Sequence, residues 1–171
     1  MKKLILSAVA LCAFGFANAQ DDGGFQAGVH VGLPMGDYKD VVSFNVGLDL
    51  AYMFSVGEGF ELGIATGYDH WMGKEETIDL GGGFEATVDY GDAAFVPLAA
   101  AGKYSVTENF FVGADLGYAI YVGEGEGDGG FFYQPKVGYQ METIDVFVGY
   151  KGISSDGVTL SALTLGAAYK F

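Results

Sequence analysis

Apolar residues occupy every second position in eight separate segments of this chain. Successive side chains of a β-strand point to opposite faces, so this alternation predicts strands with one apolar face. The last segment, 162–171, shows the pattern most clearly. Its apolar members are Leu163, Leu165, Ala167, Tyr169 and Phe171. Charged residues in the eight segments all fall on the other set of positions. The sequence therefore predicts an all-β fold whose strands each have one uncharged face.

The alternating segments define successive strands joined by turns. We predict strands at 25–33, 44–54, from 60 to beyond 68, 94–106, 110–122, 131–141, from 144 onward, and from the Asp156-Gly157 turn to the chain end. Connections after the second, fourth and sixth strands are short, and we expect those after the first, third, fifth and seventh to be longer. Asp-Gly is a hairpin signal. Pro135 lies mid-strand, where proline cannot donate to the ladder, and it predicts either a β-bulge or an error in the predicted sixth strand.

The first residues have the features of a secretory signal peptide. Lys2 and Lys3 precede a short apolar run, and Ala17-Asn18-Ala19 provides an A-x-A cleavage site. The apolar run is shorter than the ~20 residues that a spanning helix needs. We therefore expect residues 1–19 to be removed and residues 20–171 to form one barrel domain.

Charge and cysteine content exclude several functions for the mature chain. The formal net charge is −14, and loss of Lys2 and Lys3 takes it to −16. A chain this acidic is not expected to bind nucleic acid. Cys12, the single cysteine, lies within the predicted signal peptide. Neither a disulfide nor a cysteine-based zinc site is expected, and the sequence predicts no cofactor.

Two barrels could satisfy the alternation, with the apolar face directed either inward or outward. A soluble barrel with rows of Phe, Tyr and Leu inside would overfill an eight-stranded interior. Its outer, Gly-rich faces would also give the strands little stability. With the apolar face outward, small and polar residues fill the bore and aromatic residues meet lipid. The sequence therefore predicts a closed, eight-stranded, antiparallel, up-and-down transmembrane β-barrel.

Residues 163–171 resemble the C-terminal strand of bacterial outer-membrane barrels. In that class a terminal Phe after alternate apolar residues forms a signal for the barrel-assembly machinery, and Tyr169 and Phe171 match it here. The strand count, loop lengths and signal peptide extend the resemblance to the small OmpA/OmpX-like barrels, above all the single-domain type of the Bacteroidota. The resemblance implies a monomer in the outer membrane of a Gram-negative bacterium. It also implies contact with lipids and lipopolysaccharide, and periplasmic termini.

Charged residues on the inward positions are expected to pair, because an isolated buried charge costs several kcal/mol. Strand neighbours predict the pairs Glu61–Lys103, Asp115–Lys136 and Asp145–Lys170. The remaining inward charges are Asp49, Asp69 and Lys151. We interpret this set as a packed polar plug, with a substrate site or proton path as the alternative.

The two histidines and an acidic glycine-rich segment are candidate chemical sites. His30 is predicted to be a hydrogen-bonded interior residue. His70 lies near the predicted outer rim, where barrels that modify lipid A use a His and a Ser, but no Ser lies within two residues of it. The segment 123–129 does not match the EF-hand pattern. It is interpreted as a solvated acidic loop, and no metal site is predicted.

The longest connection carries its own alternating pattern around Gly81-Gly82-Gly83. Three glycines permit the positive φ values of a tight hairpin. We predict that the third and fourth strands continue past the membrane as one long acidic hairpin centred on Gly82. Its apolar contact strip consists of Ile78, Leu80, Phe84, Ala86 and Val88.

Together these patterns favour a non-enzymatic outer-membrane barrel. Its role would be structural, adhesive or surface-interacting, with the outer loops contacting a host or bacterial surface ligand. The alternative is a narrow, porin-like pore or transporter for small solutes. The third alternative is an enzyme that modifies lipid A.

Overall fold

The computed structural model describes residues 23–79, 85–125 and 127–171. Within these ranges the chain forms ten strands and a 3-10 helix (Gly36–Asp40). The strands are β1 (Gly23–Met35), β2 (Val42–Gly57), β3 (Phe60–Gly73), β4 (Glu75–Asp79), β5 (Glu85–Asp89), β6 (Ala93–Ser105), β7 (Phe110–Tyr121), β8 (Gly130–Gln140), β9 (Ile144–Ser155) and β10 (Val158–Lys170). The predicted signal peptide, 1–19, lies outside the described residues.

Eight of the strands form one closed barrel in the order β1-β10-β9-β8-β7-β6-β3-β2. Every neighbouring pair is antiparallel, and β1 closes on β10 with Gln26 opposite Lys170 and Met35 opposite Ser161. The predicted all-β, closed, eight-stranded antiparallel barrel is confirmed. No helix within the described ranges has the length and apolar character needed to cross a membrane.

The apolar face of each strand points outward. Val29, Leu48 and Ile64, for example, are each more than half exposed, whereas His30, Asp69 and Lys151 are buried inside. A surface of this composition is stable in contact with lipid rather than water. The prediction of a transmembrane barrel with an outward apolar face is confirmed.

The barrel has two distinct ends. The terminal end carries the start of β1, Phe171 and the turns 58–59, 106–109 and 141–143. Here Phe171 N–H donates to the Phe25 carbonyl, and its ring lies 4.9 Å from that of Tyr169, centroid to centroid. The loop end carries the 3-10 helix, residues 74–79 and 85–92, and residues 122–125 and 127–129.

The connection between the last two barrel strands was expected to be long, and that expectation is wrong. β9 and β10 are joined by two residues, Asp156 and Gly157, with φ values of 50° and 83°. Positive φ at both positions matches a tight turn whose twist suits a hairpin. The Asp-Gly turn therefore lets both strands extend to the loop end.

The bulge predicted at Pro135 is also absent from the described ladders. β8 keeps one register with β7 across Ala114↔Pro135, and the pairing with β9 resumes unchanged at Lys136↔Gly149 after Tyr133↔Gly152. The proline therefore interrupts one ladder locally without inserting a residue. Pro97 sits at a similar gap in the β3–β6 ladder, where Thr66 Oγ1 donates to its carbonyl at 2.8 Å.

Candidate functional site

Four charged side chains form a chain of ion pairs in the bore near the terminal end. Lys103 Nζ lies 2.6 Å from Asp145 Oδ2 and 3.5 Å from Glu61 Oε2. Lys170 Nζ approaches the other Asp145 oxygen at 2.9 Å and donates to the Met141 carbonyl at 2.6 Å. Asp145 thus joins β6 to β10 across the interior. The charges of these four side chains sum to zero.

A second ion pair lies further inside the bore. Lys136 Nζ donates to Asp115 Oδ2 at 2.7 Å. Aromatic rings flank the lysines of both groups, with Lys103 Nζ 4.6 Å from the Phe111 centroid and Lys136 Nζ 5.6 Å from that of Phe147. A cation over a ring face gains electrostatic energy without a further hydrogen bond. The inward phenylalanines therefore help to hold the lysines in place.

A buried network around His30 lies toward the loop end. His30 Nδ1 is 2.8 Å from Asp49 Oδ2, and His30 Nε2 is 2.9 Å from Asp69 Oδ1. Lys151 Nζ contacts both His30 Nε2, at 2.8 Å, and Asp69 Oδ1, at 2.5 Å. Asn45 Nδ2 adds a bond to Asp69 at 3.3 Å. Residues from β1, β2, β3 and β9 are joined by this network.

The proton arrangement around His30 follows from which atoms can donate. Lys151 is an obligate donor, so it can give one proton to Asp69 and another to an unprotonated His30 Nε2. His30 Nδ1–H then donates to Asp49. With this assignment each of these close contacts has one donor and one acceptor, with one exception. His30 Nε2 and Asp69 Oδ1 are both acceptors, and Lys151 Nζ donates to both.

An apolar cluster closes the bore at the loop end. Trp71 is fully buried and packs in one cluster with Phe95, Phe132 and Ile153. Alanines from β6, β7 and β10 complete the cluster, and Val42, Ala93, Tyr121 and Leu160 pack around it. We call Trp71, Phe95, Phe132 and Ile153 the apolar plug. Side chains in such a cluster pack at the density of protein interiors, so they would obstruct a hydrated solute.

Below the plug, the bore holds a small cavity. A cavity of about 60 Å³ lies among the ion pairs, lined by Asp49, Asp115 and Lys103 among others. A water needs roughly 10–15 Å³ by this measure, so the cavity has room for a few waters. Lys103 also lines an open vestibule of about 360 Å³ at the terminal end. Free space in the bore therefore widens toward the termini.

The sequence alone predicted some of these interior contacts. The three predicted pairs are present in the structure, and Asp49, for which no partner was predicted, bonds to His30. The sequence did not bring Asp69 and Lys151 together, nor did it single out Asn45 or the apolar plug. The alternating pattern placed these side chains inward, but which of them meet across the barrel depends on how the sheet curves. Within the described residues, no group of three or more His, Cys, Asp or Glu side chains is arranged to hold a metal ion.

The predicted hairpin has the predicted register but is not continuous with the barrel. Ile78 pairs with Ala86, and the β4–β5 ladder runs from Glu75↔Asp89 to Asp79↔Glu85. β4 and β5 form their own two-stranded sheet. Within the predicted contact strip, Val88 is 38% exposed. Leu80 and Phe84 lie outside the described residues.

Polar contacts at the base of the hairpin explain the break. Asp92 accepts a hydrogen bond from Gly73 N–H at 2.9 Å and lies 3.0 Å from His70 Nε2. Lys74 N–H turns away to the Val41 carbonyl, and Gly91 has a φ of 67°. We call these contacts at the rim the base clamp. The ladders on both sides of the clamp share one register, with Glu61 opposite Lys103 and Ile78 opposite Ala86, so the predicted long hairpin is present with a local break at its base.

Solved structures that share this fold are small transmembrane barrels. One comes from work on the de novo design of transmembrane β-barrels, with a TM-score of 0.54 and 14% identity over 89% of this chain and 98% of that chain. The crystal structure of Ail, the attachment invasion locus protein of Yersinia pestis, has a TM-score of 0.51 and 13% identity over 89% and 99%. Ail in a phospholipid bilayer nanodisc gives 0.50 and 16% over 85% and 99%. At these identities the likeness concerns the fold. The sequence matches no protein-family model and no curated protein.

We predict that Lys136→Ala lowers the free energy of unfolding by about 3 kcal/mol, because it leaves the Asp115 carboxylate buried without its partner. Lys136 is 20% exposed, which puts the effect at the low end for buried pairs. Urea titration of the detergent-refolded barrel measures the change. The double variant Lys136→Ala/Asp115→Asn should recover part of the loss. Unchanged stability of the single variant would contradict the pairing argument.

The base clamp predicts a pH dependence at the rim. The Gly73 N–H, with a smaller contribution from His70, holds the pKa of Asp92 below its ordinary value of 3.8. Because the folded pKa is lowered, the clamp is fully stabilised above pH 3.8 and weakens as pH falls through the lower folded pKa. The Gly73 amide signal in NMR spectra should follow this titration, and Asp92→Asn should abolish it. A midpoint at or above 3.8 would exclude the clamp.

Proposed function

We propose that this protein is an integral outer-membrane barrel of a Gram-negative bacterium, with residues 1–19 as its signal peptide and 20–171 as its barrel domain. The resemblance to the OmpA/OmpX-like barrels of the Bacteroidota type supports this proposal, as do the outward apolar faces. An even strand number puts both termini on one side, and delivery by a signal peptide makes that side the periplasm. The loop end then faces the cell exterior.

Its work is carried out at the outer loops rather than through the bore. The observation that carries this proposal is the filled interior, in which the apolar plug and the ion pairs leave a cavity of about 60 Å³. The element that the barrel does not require is the β4–β5 hairpin at the loop end. Ail, which shares the fold, is named for attachment and invasion. We infer a structural, adhesive or surface-interaction role with a host or bacterial surface ligand.

The proposed partners follow from the surfaces that each end presents. Lipids and lipopolysaccharide would contact the outward apolar faces, and the barrel-assembly machinery would bind the terminal strand through Tyr169 and Phe171. Both side chains are exposed at the terminal end, which suits such recognition. The closed barrel pairs both edges of all eight of its strands, which suits a monomer.

The two alternative functions have less physical support. A pore would require the apolar plug to open. For an enzyme, His70 would need a nucleophile, and no Ser lies within two residues of it in the sequence. Asp92, the partner of His70, also accepts the Gly73 N–H, which fits a structural role in the base clamp.

Conductance tests the closed bore. We predict that purified protein in planar bilayers shows no steady ion current, because the apolar plug excludes water. The variant Trp71→Ala/Phe132→Ala should pass more current than Trp71→Phe, since it removes the largest plug side chain and one of the two Phe rings. A steady current through the unmodified protein would favour the pore.

Deletion of the hairpin tests the surface role. Replacing residues 75–89 with a short Gly-Ser link should leave the barrel folded and heat-modifiable, because β4 and β5 pair outside the barrel. Cells displaying this variant should attach to host-cell or bacterial surfaces less than cells displaying the complete protein. Equal attachment by both at matched surface levels would contradict the proposal.

A further inference from the structure

Lys151 and Asp69 form the most deeply buried of the lysine ion pairs in the described part of the barrel. Both side chains are 1% exposed, whereas Lys136 of the second ion pair is 20% exposed. The pair lies beside the apolar plug, with Lys151 Nζ 5.9 Å from the centroid of the Phe132 ring. A primary amine and a carboxyl group are therefore held in contact where water is excluded.

The amine is also close to the carboxyl carbon of its partner. Lys151 Nζ lies 2.5 Å from Asp69 Oδ1. Because a carboxyl C–O bond is about 1.2 Å long, Nζ is less than about 3.8 Å from Asp69 Cγ. Reacting atoms about 3–3.5 Å apart form a near-attack arrangement. Asn45 Nδ2 donates to the same Oδ1 at 3.3 Å and to the His70 carbonyl at 3.1 Å, which fixes the orientation of the carboxyl group.

His30 contacts both of the groups that could react. Its Nε2 lies 2.8 Å from Lys151 Nζ and 2.9 Å from Asp69 Oδ1. Its Nδ1–H donates to Asp49 Oδ2 at 2.8 Å, which keeps Nε2 free to accept a proton. A nucleophile, a base that touches it and a carboxylate that orients the base are the parts of a nucleophilic catalytic site. The imidazole can therefore carry protons from the amine to the carboxyl oxygen.

The other buried lysines provide an internal comparison. Lys103 and Lys136 contact carboxylates at 2.6 and 2.7 Å, which are similarly short distances. The chain has two histidines, and the second, His70, lies at the rim beside Asp92. Among the described residues, the pair made by Lys151 is therefore the one in which a histidine touches both the amine and the carboxylate.

We propose that Lys151 and Asp69 become joined by an intramolecular amide bond once the barrel has closed. His30 is the catalytic residue of this reaction, and Asp49 is a positioning residue that acts through the imidazole. The bond joins β9 to β3, two strands that do not pair in the sheet. It locks the barrel across its interior and is independent of the proposed surface role.

The reaction balances without any co-reactant. His30 Nε2 takes a proton from the Lys151 ammonium and gives it to Asp69 Oδ1, so the ion pair becomes a neutral amine and a neutral acid. The Nζ lone pair attacks Cγ, and the N–C bond forms. A second Nζ proton passes through Nε2 to Oδ1, the Cγ–Oδ1 bond breaks, and Oδ1 leaves as water while Oδ2 remains as the amide carbonyl. A neutral amide replaces two buried charges, which removes the cost of keeping them from water.

Intact-mass spectrometry before and after refolding tests the bond. Protein dissolved from inclusion bodies in urea should have its full mass, because the two groups are not yet together. After refolding in detergent, nearly all folded molecules should be lighter by the mass of one water. Protease digestion should then release a branched peptide that joins the segments around Asp69 and Lys151. Folded protein of unchanged mass would overturn the proposal.

Two lysine variants separate this bond from other losses of water. Lys151→Arg keeps the positive charge but offers a guanidinium in place of the amine, so it should retain its full mass. The matched variant Lys136→Arg should lose one water like the unmodified protein. An Asp-Gly step such as Asp156-Gly157 can also lose water, by closing to a succinimide. A loss of water that persists in Lys151→Arg would therefore overturn the proposal.

Gel mobility and the branched peptide cover the case in which Lys151→Arg refolds poorly. The amide closes a loop between positions that are 82 residues apart, so the fully denatured unmodified chain should migrate ahead of denatured Lys151→Arg. This comparison needs refolding of the unmodified protein alone. Equal mobility, or a digest without the branched peptide, would contradict the cross-link.

The rate at which water is lost tests the role of the imidazole. His30→Gln should lose water about a hundredfold more slowly than the unmodified protein, as expected when a general acid–base is removed. Asp49→Asn should slow the reaction about tenfold, because the imidazole loses the carboxylate that orients it. The folded fraction is measured in parallel by heat-dependent gel mobility, so that a folding defect is not mistaken for slow chemistry. An unchanged rate in His30→Gln at equal folded fraction would overturn the proposed catalysis.

Discussion

In lipid an unpaired backbone amide has no water to bind, so the pairing of β1 with β10 is the interaction on which the structure depends. That ladder runs from Gln26↔Lys170 to Met35↔Ser161 and removes the last free edges of the sheet. Closure then determines the remaining packing. The outward positions must be apolar, and the narrow interior must be filled by whatever the inward positions supply.

Burial makes charge pairing inside the barrel obligatory. Each inward lysine has a carboxylate within ion-pair distance, and Lys151 and Asp69 are both almost fully buried. Removing one partner costs more than the pair contributes, since the other charge remains in the interior. Two of these ion pairs, Lys103–Asp145 and Lys151–Asp69, cross-link strands that are not neighbours in the sheet. The apolar plug completes the filling at the loop end.

The hairpin obeys a different constraint because it extends beyond the closed barrel. Water can solvate its edges, so β4 and β5 need no third strand, and an isolated two-stranded sheet is marginal on its own. The base clamp through Asp92 and Gly73 compensates by fixing both ends at the rim.

The sequence by itself determined the strand number, the outward face, the β3–β6 register and three of the interior ion pairs, because all depend on period-two alternation and on pairing between neighbouring strands. Only the tertiary structure decided what meets across the bore. Asp69 and Lys151 are 82 residues apart and lie on strands that do not pair, and Trp71 joins Phe132 and Ile153 through the same curvature. The tight Asp156-Gly157 turn, the unbulged Pro135 and the break at Lys74 were likewise decided locally by backbone angles and single hydrogen bonds. Alternation assigns a side chain to a face, but contacts across a closed barrel depend on its curvature and on the depth of each residue, which alternation does not encode.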